Sequence, residues 1–407
     1  MNNEANVKEN RKKSVFERII QLDVLGDGTW EGAILFWLMI AVWVHYVASA
    51  VMMILLLGIV MLVPSTRKKI LCDPKTFYLG VIIAVFSFLV SVISKNLIGM
   101  AIAFGVFMII TLGTFAKNVI TEERFKKLQV ICCIGSVVSV FIAVYQNAIY
   151  SPAYRPVALA YNPNYHGALI VMTMLICIYN VLDGKKTRGA LGWFAPHKLF
   201  YIAVFLLNSV ALLVGESRSS LLAFLVCAIF YLLITKRYIL FAIALCLAVG
   251  IGTVGWFYPD VLSWTNSLAF SFTERSTIWK EAIRSFSQNP YTVLLGRGPM
   301  TYYHVMEAEG LFEANHAHNI FADTLLNVGI IGTALYLLLF ASLLKEIVSA
   351  GKRGNKKALI FGMIFILEVI VQGIADVTIM WHQSAMLFLL AISIIGNENA
   401  LNTEEKK

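Results

Sequence analysis

"AILFWLMIAVWVHYVASAVMMILLLGIVMLV", residues 33–63, is apolar throughout except for His45, Tyr46 and Ser49. A membrane helix needs about 20 such residues, so the stretch holds either one over-long span or two short ones. Ala48, Ser49 and Ala50 have the small-residue form of a signal cleavage site. The chain continues as "VMMILLLGIVMLV", however, which is not the start of a mature soluble protein. We read two spans, joined tightly at His45 and Tyr46.

The same kind of run recurs to the end of the chain. Of 407 residues, 59% are hydrophobic and 14% are charged, with a mean hydropathy of +0.76. A soluble domain carries about 25% charged residues. The expected fold class is an all-α polytopic membrane protein of about twelve transmembrane helices, near 32–45, 47–64, 77–93, 97–116, 128–149, 167–183, 199–215, 218–235, 238–257, 318–344, 357–375 and 379–396. The layout that follows is a cytoplasmic N-terminal segment (1–31), helices 1–9 (32–257), one large extracytoplasmic loop (258–317), helices 10–12 (318–396) and a cytoplasmic tail (397–407). A multi-pass protein of the cell membrane, in contact with its lipids, is implied.

The formal charge is +9, but the basic residues sit in short clusters between apolar runs rather than on one face. That excludes a nucleic-acid partner and reads as topology signals. With the N-terminus inside, 26 of the 33 Lys and Arg fall on the cytoplasmic side. The exceptions are Lys95, Arg155, Arg218, Arg275, Lys280, Arg284 and Arg297. Cations on the disfavoured side have a local use, and an anion is the obvious one for Arg218 and Arg275. Loop arginines that merely meet water or headgroups are the alternative, preferred for Lys280 and Arg284. The six cysteines have no metal-ligand spacing and suggest no disulfide framework.

Within the loop, "SFTERSTIWKEAIRSFSQNP" (271–290) has the spacing of an amphipathic helix. Thr273 is the expected N-cap, Arg275 falls in the first turn, and Ile278, Trp279, Ala282, Ile283 and Phe286 make an apolar stripe. "LLGRGPM" (294–300) reads as a turn. Glu307, Glu309 and Glu313 read as a solvated acidic face. The loop is too short to carry an independent catalytic core, so any chemistry must also use the outer ends of the spans.

Four stretches carry a resemblance. "HNIFADTLLNVGIIGT" (318–333) places His-Asn nine residues before Gly, then two residues, then Gly-Thr. "GESRSSLLA" (215–223) puts Ser-Arg at the outer start of a span. "FTERSTIWKEAI" with "GRGP" opens the loop, and "RPVALAYNPNYHGAL" (155–169) contains Asn-Pro-Asn. In this order the four resemble the motifs of the O-antigen ligase and polymerase superfamily, over roughly residues 150–345. The resemblance implies a metal-independent glycosyltransferase with a GT-C-like fold and no cofactor. Its donor would be a glycan on polyprenyl (undecaprenyl) pyrophosphate, and its acceptor a sugar or a lipid core. It implies that Arg218 and Arg275 hold the pyrophosphate and that His318 serves the acceptor. His316, two residues earlier, is a second candidate, though the His-Asn spacing favours His318.

The residue types suit that chemistry. Displacement at an anomeric carbon builds negative charge on the leaving pyrophosphate, which fixed guanidinium groups stabilise. A neutral imidazole can take the acceptor's proton; the alternative is that His318 only orients the acceptor or a phosphate. Arg155, Asn164, Arg297, His316, Asn319 and Asp323 are further candidates for substrate binding, and Asn319 and Asp323 are spaced to bond one another across one helical turn. Gly329 and Gly332 read as close helix packing. Glu368, Gln372, Asp376 and His382 flank the last outer turn but lie outside these motifs. A polymerase is favoured over a ligase, and the competing reading from another class is a transporter or flippase of lipid-linked oligosaccharides.

Overall fold

The computed structural model describes residues 29–72, 74–150, 154–184, 195–257, 264–303 and 315–396. Every regular element among them is helical. In chain order they are α1 (Trp30–Val42), α2 (Tyr46–Leu62), α3 (Pro64–Ile70), α4 (Pro74–Ile93), α5 (Leu97–Val119), α6 (Glu122–Ile149), α7 (Pro163–Leu182), α8 (Pro196–Val214), α9 (Arg218–Ile234), α10 (Tyr238–Phe257), α11 (Trp264–Phe286), α12 (Pro290–Leu295), α13 (Ile320–Lys352), α14 (Lys356–Ala375) and α15 (His382–Ile392), with short 3-10 turns at Thr378–Met380 and Ser393–Gly396. The segments 1–31 and 397–407, and the acidic residues Glu307, Glu309 and Glu313, lie wholly or almost wholly outside the described residues.

Seven of these helices are long and apolar enough to cross a membrane: α4, α5, α6, α7, α8, α13 and α14. Counting the bent pair α2–α3 as one span gives eight. The expected twelve-span, GT-C-like architecture is therefore corrected. Hydropathy in a sequence counts apolar residues; it does not show where the helix stops. The run opening at residue 33 does turn between Val42 and Tyr46, but α1 has only 13 residues and is buried along most of its length. Helix α2 ends at Val63, held in an extended conformation before Pro64, and α3 leaves at 98°. The apolar helices α9, with 17 residues, and α15, with 11, are also shorter than a full span.

Polar residues set the helix ends. Thr121 caps α6, with Glu122 and Glu123 in the first turn reaching Lys126 and Lys127 one turn on. Asn162 caps α7, and Pro163 occupies its first position. Helix α7 is the most buried of the spans and packs on α8 and α9. Helix α14 packs between α9 and α13, completing the core around α7.

The bundle has two chemically different ends. The starts of α7, α9 and α13 and the finish of α14 lie together at one end, joined by the contacts described below. The opposite ends of α9, α13 and α14 carry Lys236, Arg237, Lys352, Arg353, Lys356 and Lys357. Three cations at that end are held in ion pairs: Lys117 with Glu346 at 2.8 Å, Arg237 with Asp183 at 2.8 Å and Lys357 with Glu122 at 2.7 Å.

Helix α13 is broken at Gly329, where φ is 62° and ψ is −169°. The break turns the Asn327 carbonyl outward, and it accepts the amides of Arg297 (3.2 Å) and Gly298 (2.7 Å). A Cβ on Gly329 would collide with the backbone of Leu294, and one on Gly296 with the backbone of Asn327. Two backbones thus meet where only glycine fits. The signature glycine at 329 is a helix break that receives the "GRGP" turn, rather than a packing contact between two regular helices. Asn96 ties the same turn to the α4–α5 corner, donating to Pro299 O at 2.8 Å.

Helix α11 begins at Trp264, nine residues before the expected cap at Thr273. Nothing in "WTNSLAFSF" (264–272) breaks a helix, so Arg275 sits mid-helix instead of at an N-terminus. Ile278 and Ala282 bury against Tyr302, Ala317 and Leu326, with Trp279, Phe286 and Ala322 at the margin. Ile283, expected in the stripe, is exposed. This small core fixes α11, and with it Arg275, over the first half of α13.

Candidate active site

The histidine segment opens α13. Asn319 is its N-cap, accepting from the amides of Phe321 (3.0 Å) and Ala322 (3.1 Å), and its side-chain amide donates to Ile374 O at 3.0 Å. That last bond draws the end of α14 against the start of α13. Asp323 accepts from Ala317 N–H at 3.0 Å and from Asn327 Nδ2 at 2.7 Å. The Asp323 amide donates to Asn319 O at 2.9 Å, while the two side chains bond other groups, and together they shape the turn that carries the imidazoles. His318 holds a positive φ of 48°, a conformation that costs a non-glycine residue energy and clusters at functional sites.

Asp376 lies where α14 ends, and it is wholly buried. One oxygen accepts the Val377 amide at 2.7 Å; the other accepts the side-chain amide of Asn164. Its Oδ1 also lies 3.4 Å from His316 Nε2 and 3.5 Å from His318 Nδ1. The second distance is too long for a formed hydrogen bond, and His318 Nδ1 has no partner. The His318 amide donates to His316 Nδ1 at 3.2 Å. His316 therefore carries its proton on Nε2, facing the carboxylate. The two imidazole rings meet edge to face, 4.3 Å apart.

Asn164 is the joint between three chain segments. Its carbonyl oxygen accepts from Arg155 Nη2 and from Ser217 Oγ, both at 3.0 Å, while its amide donates to Asp376. Arg155 also donates to the carbonyls of Gly215 (3.3 Å) and Glu216 (3.2 Å). This fixes the turn from which α9 departs with Arg218 at its first position. Gln372, one turn before Asp376, donates to Ser220 Oγ at 2.8 Å.

Arg218 and Arg275 lie close enough to repel one another, and both Arg155 and Arg275 feel the Asp376 carboxylate. Neither Arg218 nor Arg275 makes a hydrogen bond or ion pair among the described residues. This contrasts with the paired cations at the other end of the bundle. Burial, reinforced by the neighbouring guanidiniums and opposed by Asp376, lowers the pKa of Arg155 and Arg275. Arginine starts so high that both stay charged. Burial pushes His316 down to about 4, with His318 and Arg275 adding to the effect and Asp376 opposing it, so His316 is neutral near pH 7. Burial alone would raise the Asp376 pKa; the two imidazoles and the Val377 amide outweigh it and hold the group well below the usual carboxylate range. Arg297 lies apart from this cluster, with its guanidinium on Gln288.

His316, His318 and Asp376 each offer one ligand atom within 4.8 Å of the others, a donor set of the kind that holds a divalent cation.

Residues 203–337 match the family model described as O-antigen ligase. This segment, about a third of the chain, is similar to the O-antigen ligase family. The matched segment holds Arg218, Arg275, Arg297, His316, His318, Asn319 and Asp323, and leaves Arg155, Asn164 and Asp376 outside it. No curated protein matches the chain. The sequence motifs pointed to the arginines and histidines; they did not point to Asp376, which the two imidazoles, Arg155 and Arg275 face. The available signal was a carboxylate at the edge of a membrane helix, which needs a partner.

Proposed function

We propose that the chain is a glycosyltransferase that moves a glycan from polyprenyl (undecaprenyl) pyrophosphate to a sugar hydroxyl, polymerising repeat units of a surface polysaccharide. The observation that carries this reading is the pair of guanidiniums, Arg218 and Arg275, without a hydrogen-bond or ion-pair partner among the described residues and set beside an imidazole–carboxylate pair. Arg218 and Arg275 bind the pyrophosphate and stabilise the charge that develops as the anomeric C–O bond breaks. His318 directs Nδ1 at Asp376, which leaves Nε2 to accept the proton of the attacking hydroxyl. The acceptor oxygen bonds the anomeric carbon, the electron pair leaves with the pyrophosphate, and the proton rests on His318 beside the ionised Asp376. Arg155 and Asn164 position these groups without touching the reacting atoms.

The transfer needs no metal in this reading. A divalent cation on His316, His318 and Asp376 would sit near Arg155 and Arg275, which already feel that carboxylate, and their repulsion works against it. The site faces away from the cytoplasm. Support comes from the Lys and Arg clusters at the bundle end opposite the site.

Ligation to a lipid core is the second reading, favoured by the description of the matching family model. Purified protein in vesicles, given lipid-linked oligosaccharide in the presence of a chelator, tests the proposal. A ladder of lengthened glycans with release of polyprenyl pyrophosphate is expected. A single transfer onto a different acceptor indicates ligation. Movement of donor across the vesicle with no covalent change would defeat the enzymatic reading and leave a transporter.

A further inference from the structure

A second feature adjoins this site. Three rings from two distant segments stack: Tyr165 on Trp381, with centroids 5.0 Å apart and planes 21° apart, and Trp381 on Tyr161, at 5.3 Å and 27°. Tyr46 meets both Tyr161 and Trp381 at the outer edge. The inner ring, Tyr165, is buried and lies 6.2 Å from the His316 ring; the outer ring, Tyr161, is 47% exposed. The stack therefore runs from solvent to the histidines.

Two ordinary accounts of this stack fall short. Aromatic belts at a membrane interface present single rings to headgroups, whereas these rings are nearly parallel and cover one another. A fastening role is already filled: His382 Nε2 lies 3.1 Å from Tyr46 O, and Gln383 Nε2 donates to Val42 O (3.0 Å) and Val44 O (2.8 Å). These polar bonds join the α1–α2 turn to the start of α15 without the stack. What the stack adds is a rigid aromatic face, open at Tyr161, leading to the imidazoles.

We propose that Tyr161, held rigid by Trp381 and Tyr165 behind it, is a stacking site for a pyranose of the acceptor glycan, at the outer end of an aromatic path that leads to the histidines. The negative face of an aromatic ring attracts the electropositive axial C–H groups on one face of a pyranose. The stack meets the site at the histidines rather than at Arg218 and Arg275, so it serves the acceptor and not the pyrophosphate. This inference rests on the glycosyl-transfer reading above.

The test uses the full chain in detergent. The probe is the oligosaccharide released from the host's own surface polysaccharide by mild acid, which carries no lipid or phosphate, labelled at its reducing end. Wild type should bind it. Tyr161→Ala should weaken binding at least about tenfold, and Tyr161→Phe, which keeps the ring, should retain it. Because Tyr161 is about half exposed and outside the hydrophobic core, its truncation leaves the core intact, and Tyr161→Phe controls for folding. Equal binding by wild type and Tyr161→Ala would overturn the stacking site, as would wild-type turnover of lipid-linked donor without binding of the free glycan; in both cases glycosyl transfer itself would stand. Neither binding nor turnover by wild type would instead remove the functional reading on which the stacking site rests.

Discussion

Replacing Asp376 by Asn removes one charge from the point where α7, α13 and α14 meet. The carboxylate accepts two hydrogen bonds, from Asn164 and Val377, and faces both imidazoles. An amide keeps one acceptor oxygen and turns a donor toward a group that is itself a donor. Losing one charge-assisted bond costs about 1.5–3 kcal/mol, which corresponds to roughly 10- to 150-fold. In the proposed mechanism the neutral amide also withdraws the anion that stabilises His318 once it has taken the acceptor's proton. General-base catalysis supplies about 10²- to 10⁴-fold. Asp376→Asn is therefore expected to lower kcat by about 10²–10⁴ and to leave the donor KM near its wild-type value, because Arg218 and Arg275 remain. The assay is initial-rate turnover of lipid-linked oligosaccharide over a range of donor concentrations, with thermal melting to confirm the fold. A kcat close to wild type in a folded Asp376→Asn protein would refute the role given to this carboxylate.

Other expectations follow from particular residues. Gly329→Ala forces a Cβ into the Leu294 backbone at positive φ, costing about 1–3 kcal/mol; it should lower Tm and open the "GRGP" turn to proteolysis, and an unchanged protein would show that the break is not built on glycine. His316 has its pKa lowered to about 4, so between its ordinary value and about 4 the unfolded chain binds the proton first. Stability should fall as pH drops through that window, a melting series should show it, and His316→Gln should flatten the slope. Arg218→Lys keeps the charge but loses the two-pronged guanidinium; donor affinity should fall by about tenfold or more, and full affinity in this variant would show that charge alone suffices.

Much of this molecule is legible in the residues, though not evenly. Apolar runs announce a membrane protein, and the motif spacing around Arg218, Arg275 and His318 carries chemistry in a local pattern. Helix length is less legible, because apolarity continues through the turn at Trp43–His45 and past Val63, where the helices stop. Gly329 has the spacing of a packing residue, and only the partner backbone at Leu294 makes it a break. Asp376 belongs to no local pattern. It joins the site through Asn164, 212 residues away in the chain, and such a pairing arises from packing alone. The outer helix extends back to Trp264 because no glycine or proline intervenes, a signal that was present but outweighed by the capping preference of Thr273.

The account rests on a division of labour between guanidinium and imidazole, and one binding measurement tests it. Purified wild type, Arg218→Ala, Arg275→Ala and His318→Ala are titrated with the same lipid-pyrophosphate-linked oligosaccharide, and turnover is followed in parallel. The arginine variants are expected to lose donor affinity, while His318→Ala binds donor as wild type does and fails to transfer it. Donor binding undiminished in both arginine variants, or transfer undiminished in His318→Ala, would contradict the account.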